Sequence, residues 1–269
     1  MAKTVPIFQG LECLERKVER VHTARCVRPN TRTSVKNTIL ARISLQDLAA
    51  VGPSLEPVVL RERLVLHEPK KPLDYVYFIE SGLISLRIIA EGSMLETALI
   101  GYRGAVGASF LLGGHCSTHQ SVVLFPGSAH RIRVEDVRKA MNEHPAIREQ
   151  LSGYVQALSL HCAQMALCGV RHNLEKRLAS WLCLASDAIC SHVLPTTHDY
   201  LSSVLGLRRA GVTETLNRFE DKGLIRKSRG VLQIDDRQHL EQKACSCYKL
   251  ISHAYASPEP AIPMAVPAE

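Results

Sequence analysis

Between Thr196 and Ile234 the chain gathers cationic and hydrogen-bonding side chains at a spacing suited to gripping a polyanion. Arg209, Thr213, Glu214 and Asn217 fall on one side of a stretch whose other side carries Val212, Leu216 and Phe219 at 4 and 3 spacing. A basic run with a Ser-Arg-Gly tip, Arg226-Lys227-Ser228-Arg229-Gly230, follows directly. A guanidinium presents five donors in a planar fork, and amide and carboxylate groups add matching donors and acceptors. The chemistry this allows is non-covalent: reading base edges and holding phosphates in a duplex groove.

Such side chains read nothing unless a rigid rod carries them, and the flanking residues supply one. A first helix is expected over about Thr197 to Leu205, burying Leu201, Val204 and Leu205 at i, i+3, i+4. Gly206 breaks it where a short turn between two helices usually carries a glycine. A second helix, about Arg208 to Lys222, bears the polar face and stops at Gly223. Leu224 to Ile234, apolar at both ends of the Ser-Arg-Gly tip, reads as a two-stranded hairpin or wing. A helix pair of this kind can lay its second helix in the major groove. It points to a transcription regulator; an ordinary surface helical hairpin is the plain alternative.

Other chemistry is thinly supported. The chain has 12 His and 9 Cys, yet no Gly-x-Ser-x-Gly, His-Glu-x-x-His or Gly-x-x-x-x-Gly-Lys-Ser/Thr, and no enzyme is expected. The cysteine number is odd and the positions scattered, so most are expected as free thiols in a cytosolic chain. No Cys-x-x-Cys occurs. Cys245 and Cys247, the one close pair, are weak grounds for a zinc or iron–sulfur site, and neither metal nor cofactor is expected.

At 269 residues the chain is long enough for two domains with separate cores. A formal charge of +7 favours a polyanionic partner. No apolar run approaches the roughly 20 residues needed to span a bilayer, and the start, Met1-Ala-Lys-Thr-Val, lacks a secretory signal. A cytoplasmic protein with no membrane partner is expected. Residues 1–37 form a basic leader, in which Leu11, Leu14, Val18 and Val21 can line one short helix.

Residues 38–143 read as short strands between turns, with 8 of the 16 glycines between Gly82 and Gly127. The candidates are Val58–Leu60, Arg63–Leu66, Tyr75–Glu80, Leu83–Ile89, Glu96–Ile100, Gln120–Phe125 and His130–Arg133. Their spacing predicts a closed or rolled antiparallel sheet. Over 144–171 the period changes: Ile147, Leu151, Tyr154, Leu158, His161, Met165 and Cys168 follow a 4,3 spacing, a heptad seam suited to a homodimer. A helix laid along its own sheet gives the same pattern. Asn173 can cap the next helix, which carries Leu174, Leu178, Trp181, Leu182 and Ala185 on its buried side. The winged module is expected over 172–249 and a disordered Pro- and Ala-rich tail over 250–269. The fold class is α+β: an N-terminal jelly-roll-like β-roll, a long dimerisation helix and a C-terminal winged helix-turn-helix.

This order of parts resembles the Crp–Fnr family of bacterial transcription regulators over about residues 40–245. The resemblance rests on Leu66-His67-Glu68 through Tyr75-Val-Tyr-Phe-Ile-Glu-Ser-Gly-Leu-Ile-Ser-Leu, on Gly101-Tyr-Arg-Gly-Ala-Val-Gly, and on Leu205 through Ile225. It implies a dimer on a palindromic DNA operator, with RNA polymerase as a further partner if the protein activates. It also implies a small-molecule effector of unknown identity, or none. By resemblance Arg209 contacts guanine, while Arg208, Arg218, Lys227 and Arg229 clamp phosphates and Thr196, Thr197 and His198 meet a phosphate at the first helix's start. Two further base readers of the family are replaced by Ala210 and Glu214; Glu214 can accept from cytosine N4 and Ala210 can touch only a thymine methyl.

The departures bear on the effector. Where the cyclic-nucleotide branch places a ribose-binding Glu after the third cassette glycine, Gly107, this chain has Ala108. Its phosphate-binding Arg-Ser pair becomes Thr118 and His119, and its purine-reading Thr-Ser pair becomes Cys162 and Ala163. No guanidinium fork remains for a cyclic phosphate, so a cyclic nucleotide is not expected; a cAMP-responsive regulator is the lesser alternative. Cys13 and Cys26 do not reproduce the iron–sulfur branch's pattern, and His67, His115 or His119 would have to serve a haem. An oxidation or a soft metal acting on Cys162, Cys168, His161 and Met165 is a weaker sensing alternative. A sheet module binding a small ligand or protein, without DNA, is the remaining one.

Overall fold

The computed structural model describes residues 35–256. The leader helix at Leu11–Val21, Cys13, Cys26 and the Pro-rich segment 257–269 lie outside the described residues.

Near the start of the described residues, the Asn37 side chain caps helix α1 (Thr38–Arg42) by accepting from the backbone N–H of Ile39 and Leu40. Its amide donates to the carbonyls of Ile79 and Gly104, at 2.9 and 2.8 Å. Asn37 is fully buried, so the expected leader ends at a fixed anchor. Helix α2 (Leu45–Val51) leads into β1 (Glu56–Leu60), β2 (Val65–His67), β3 (Tyr75–Ala90), β4 (Ser93–Ile100), β5 (Ala105–Val106) and β6 (Gln120–Arg133).

All pairings are antiparallel, in the order β1-β6-β3-β4, with β2 also on β6 and β5 on β3. The strand pairs expected separately at Tyr75–Glu80 with Leu83–Ile89, and Gln120–Phe125 with His130–Arg133, are each one continuous strand. Register shifts between Ile79 and Ser81, and again between Ser81 and Leu83, bend β3 against β6 and roll the sheet. The hydrophobic alternation is interrupted at those bulges, which is why the sequence pattern splits there. Leu60, Ile79, Ile84, Ile100, Val106 and Val123 fill the interior.

Helix α3 (Val134–Glu143) leads to the long helix α4 (Pro145–Arg171), with Pro145 in its first turn, where a missing N–H costs nothing. The expected dimer seam is corrected here. Ile147, Leu151, Tyr154, His161 and Cys168 are 1–6% exposed within one chain, and Leu158 and Met165 are partly covered. Tyr154 donates to the Ala105 carbonyl at 2.6 Å, and His161 Nδ1 lies 3.1 Å from the Tyr255 hydroxyl. Ile147, Leu151 and Tyr154 face the roll side of their own chain, whereas His161, Met165 and Cys168 pack towards the C-terminal helices. The free side of α4 carries Gln156, Ser159, Ala163, Ala166 and Val170, again at 3 and 4 spacing, with Leu167 beside them.

Helices α5 (Leu174–Ile189), α6 (His198–Val204), α7 (Arg209–Asp221), α8 (Arg237–Lys243) and α9 (Ser246–Ala256) surround a small sheet, β7 (Val193–Leu194), β9 (Val231–Ile234) and β8 (Ile225–Ser228). Helix α9 overturns part of the expected tail: 250–256 are helical, and Ile251 is 1% exposed. Apolar residues of α9 pack between α4 and α5, which holds the segment.

The roll and the helical module share one apolar core, since Leu83, Leu99 and Phe125 pack with Trp181, Leu201, Leu216 and Phe219. A Cβ on Gly101 would stand 1.9 Å from the Ala188 carbonyl oxygen, so only glycine lets the roll approach α5 this closely. Beside this contact, Glu96 of β4 is 2% exposed and accepts from three sides. Trp181 Nε1 donates at 2.5 Å, the Tyr200 hydroxyl at 2.9 Å, and Ser85 Oγ also donates. Arg87 reaches Ser85 Oγ at 3.0 Å and stacks over the Tyr200 ring.

Burial pushes the Glu96 carboxyl above its ordinary value, against the pull of these hydrogen bonds. Its folded state therefore holds a proton more tightly than the unfolded chain does. That contribution to stability is full below the unfolded value, about pH 4, and is lost as pH rises through the folded one. Glu96→Gln removes it: the stability of the unaltered chain relative to E96Q is expected to rise as pH falls from 7.5 towards about 4.5. Urea unfolding of both proteins across that range tests this, and a pH-independent difference contradicts it.

Candidate nucleic-acid interface

The turn between α6 and α7 sets the candidate interface. Thr197 caps α6 by accepting from the Tyr200 N–H at 3.2 Å, and Leu201 and Val204 are fully buried. On α7, Val212, Leu216 and Phe219 are 0% exposed, which fixes the rotation of the helix and turns Arg209, Ala210, Glu214, Asn217 and Arg218 to solvent. A Cβ at Gly211 would meet Leu174 Cδ1 at 2.8 Å, so its smallness serves contact with α5.

The solvent face is pre-arranged by charge. Arg209 Nε lies 2.6 Å from Asp199 Oδ1, both side chains being 69% exposed. His198 Nδ1 lies 3.0 Å from Thr213 Oγ1, joining the two helices. Burial first, then the positive Lys227 and Arg209, hold the His198 imidazole below its usual range, so it is neutral at pH 7. Arg218 pairs with Glu214 at 3.1 Å one turn away and donates to Thr215 Oγ1 at 3.0 Å.

The hairpin β8–β9 projects beside this face, with Arg229 exposed at its tip next to Gly230. Lys227 sits differently from a free clamp: its ammonium lies 2.8 Å from Glu220, it also donates to Asn217, and its N–H donates to Glu220 at 2.8 Å. Lys227 and its backbone hold the Glu220 carboxylate below its ordinary range. Arg208 is exposed at the start of α7. Thr196 is 4% exposed and its hydroxyl is buried without a partner, so the phosphate contact expected of it is not presented at the surface. Thr197 spends its hydroxyl on the cap.

The residues expected to line an effector pocket border neither of two cavities that the structure contains. Ala108 is 2% exposed, and Gly107, at φ +93°, packs against Tyr75 and His67. Thr118 is exposed and bonded to its neighbour His119 Nδ1 at 2.8 Å, while Cys162 packs at the edge of the roll's apolar interior. A cavity of about 40 Å³, lined by Arg103, His161, Asp187, Ser252 and Tyr255 among others, has room for little more than a water. A polar cleft of about 370 Å³ opens at Asp74, Tyr75, His115, Arg133, Glu135 and Arg138. Neither is lined by Gly107, Ala108, Thr118, His119 or Cys162. Of the haem candidates, His67 is committed to the Tyr75 carbonyl at 2.9 Å.

Sequence reasoning did not identify Asp199 as the partner of Arg209, nor Glu96 as a link between roll and helices. It also missed that Cys168, His172, Cys245 and Cys247 meet, their ligand atoms all within 4.8 Å of one another. The signals were present as Cys-x-x-x-His at the end of the long helix and as Cys-x-Cys later in the chain; nothing in one sequence joins the two.

Residues 176–243 match the Crp-like helix-turn-helix domain. The chain is similar to the transcriptional regulator SdrP of Thermus thermophilus, 26% identical over 180 residues that cover 64% of this chain and 85% of that protein. Among solved structures it is similar to FixK2 from Bradyrhizobium japonicum, with a TM-score of 0.62 and 17% identity over 71% of this chain and 98% of that one. It is also similar to TTHA1359, a Crp/Fnr-family transcriptional regulator from Thermus thermophilus, with a TM-score of 0.58 and 22% identity over 70% and 97%. At those identities the structural likeness speaks for the fold.

Proposed function

We propose that this Crp–Fnr family chain, a DNA-binding transcription regulator and not an enzyme, acts in the cytoplasm as a homodimer on a palindromic operator. The observation that carries this reading is the orientation of α7: one face is locked in the core and the other presents Arg209, Ala210, Thr213, Glu214 and Asn217 to solvent. Two such helices related by a two-fold axis enter successive major grooves, with half-sites about one helical turn apart. The spine of the dimer is the free side of α4, Gln156, Ser159, Ala163, Ala166, Leu167 and Val170, where the small Ser159, Ala163 and Ala166 allow close approach. The chain divides accordingly into a roll at 38–143, a spine at 144–171 and a reading module from 172 to 256.

On DNA, Arg209 leaves Asp199 and offers its fork to guanine O6 and N7, while Glu214 accepts from a cytosine amine. Arg208, Arg218 and Arg229 hold phosphates, Thr197 and His198 mark the approach of α6 to the backbone, and Lys227 joins only after giving up Glu220. Ala108, Thr118 and His119 offer neither the carboxylate nor the guanidinium that a cyclic nucleotide needs, and they line neither cavity, which supports a roll that binds none. If the protein activates, RNA polymerase is the further partner.

Selection of bound fragments from genomic DNA, followed by gel shifts at several salt concentrations, tests the reading. A palindrome should emerge, and affinity should fall steeply with salt as phosphate contacts release counterions. Within that motif Arg209→Ala is expected to cost about 1–3 kcal/mol and to relax choice at one base pair, whereas Arg229→Ala should weaken matched and mismatched duplexes alike. Equal losses on both duplexes for both variants contradict these roles.

A further inference from the structure

At the end of α4, Cys168 and His172 stand one helical turn apart on one face, and the His172 N–H closes the helix on the Cys168 carbonyl at 3.2 Å. Opposite them, Cys245 and Cys247 flank the first residue of α9. Cys168 Sγ is 3.5 Å from Cys245 Sγ, and Cys247 Sγ is 3.6 Å from His172 Nδ1. The three sulfurs are 2–4% exposed and form a cluster apart from the apolar cores. A disulfide needs about 2.05 Å between sulfurs, so the Cys168–Cys245 contact is non-bonded. A tetrahedral zinc ion with Zn–S of about 2.3 Å spaces its ligands about 3.8 Å apart; the observed gaps lie near that edge. Ligand atoms this close enclose one ion and leave no room for a cluster with its own sulfides.

We propose that Cys168, His172, Cys245 and Cys247 bind a single structural zinc ion that clasps the end of the long helix to the start of the last one. Three thiolates and an imidazole are a closed structural set for this metal, with no position open to water. Binding forms three Zn–S bonds and one Zn–N bond, and the three thiol protons pass to solvent. An outer shell is in place. Ser180 Oγ lies 3.1 Å from Cys245 Sγ and accepts from the Cys245 N–H at 3.0 Å. The start of a helix favours the thiolates of Cys245 and Cys247. The Arg177 guanidinium acts electrostatically on Cys168, and it also donates to the Leu205 carbonyl just before the turn into α7. Its charge offsets the net negative charge of three thiolates around a dication, and it ties the clasp to the reading helices. The ion thus fixes the hinge at Arg171–Asn173, across which the spine must pass any signal to the DNA.

Elemental analysis of the full chain, purified reduced from zinc-containing medium, should find one zinc per chain. Cys247→Ser and His172→Gln are expected to weaken zinc retention against a chromophoric chelator by more than about 100-fold, and Ser180→Ala by about 10–100-fold. Cys116→Ser and Cys162→Ser should leave it unchanged. Because a ligand variant can fail to fold, the unaltered chain is also loaded with Co²⁺. Tetrahedral d–d bands together with thiolate-to-cobalt charge transfer are then expected. A folded chain free of zinc and lacking that cobalt spectrum overturns the assignment. So does zinc content indifferent to the ligand variants, iron in place of zinc, or a Cys168–Cys245 disulfide in the reduced preparation.

Discussion

A chain carrying Ala163→Glu and Val170→Glu is expected to sediment as a monomer and to bind its operator at least about 100-fold more weakly than the unaltered protein. Ala163 is exposed and Val170 is 84% exposed, so neither substitution disturbs the core of one chain. In a two-fold spine each new carboxylate meets its own copy across the axis, and like charges there disfavour association. Without the dimer each half-site is bound alone, and the effective concentration that one engaged half lends the other disappears. The contrast is Leu151→Ala on the opposite side of α4, where the residue is 1% exposed. That change should cost about 2–5 kcal/mol of stability while the surviving folded protein stays dimeric. A double glutamate variant that remains a dimer with full affinity would place the spine elsewhere.

The second large effect is Trp181→Ala, expected to destabilise the chain by about 3–5 kcal/mol, a large part of the total of a typical domain. Trp181 is 0% exposed at the junction of roll and helices, and its indole N–H supplies one of the donors to Glu96. Truncation opens a cavity and also leaves a buried carboxylate short of a partner. Trp181→Phe separates the two contributions, since it keeps most of the ring's packing and loses only the donor. Its expected cost is about 1–3 kcal/mol, the penalty for an unsatisfied buried polar atom. Chemical denaturation of both variants reads the difference; a loss under about 1 kcal/mol for Trp181→Ala would mean that the junction can collapse around the gap.

The reading helices were legible in the sequence because their apolar spacing, the break at Gly206 and the stop at Gly223 agree with one another. The roll was legible as a class, but not as six strands: bulges in β3 and β6 interrupt the alternation on which strand boundaries depend. The long helix was legible in extent and misread in orientation. Both sides of α4 carry a 4,3 pattern, and the larger residues, Leu151 and Tyr154, belong to the side that its own sheet covers. Sequence spacing gives the period of a helix, whereas what lies against each face is decided by the rest of the fold. The cysteine–histidine cluster was illegible for a related reason, since Cys168 and Cys245 lie 77 residues apart. Asp199 escaped notice because a turn, not periodicity, brings it to Arg209.

That last pair governs how the protein would travel before it arrives. An exposed ion pair is worth only about 0–1 kcal/mol, so on the proposed reading Arg209 would give up Asp199 cheaply when guanine returns two hydrogen bonds. Until then the rod would move over unrelated sequence with one cation already neutralised, which would trim its grip on the vast excess of decoy sites. On that reading Asp199 would shorten each stop at a wrong address at little cost to the stop at the right one.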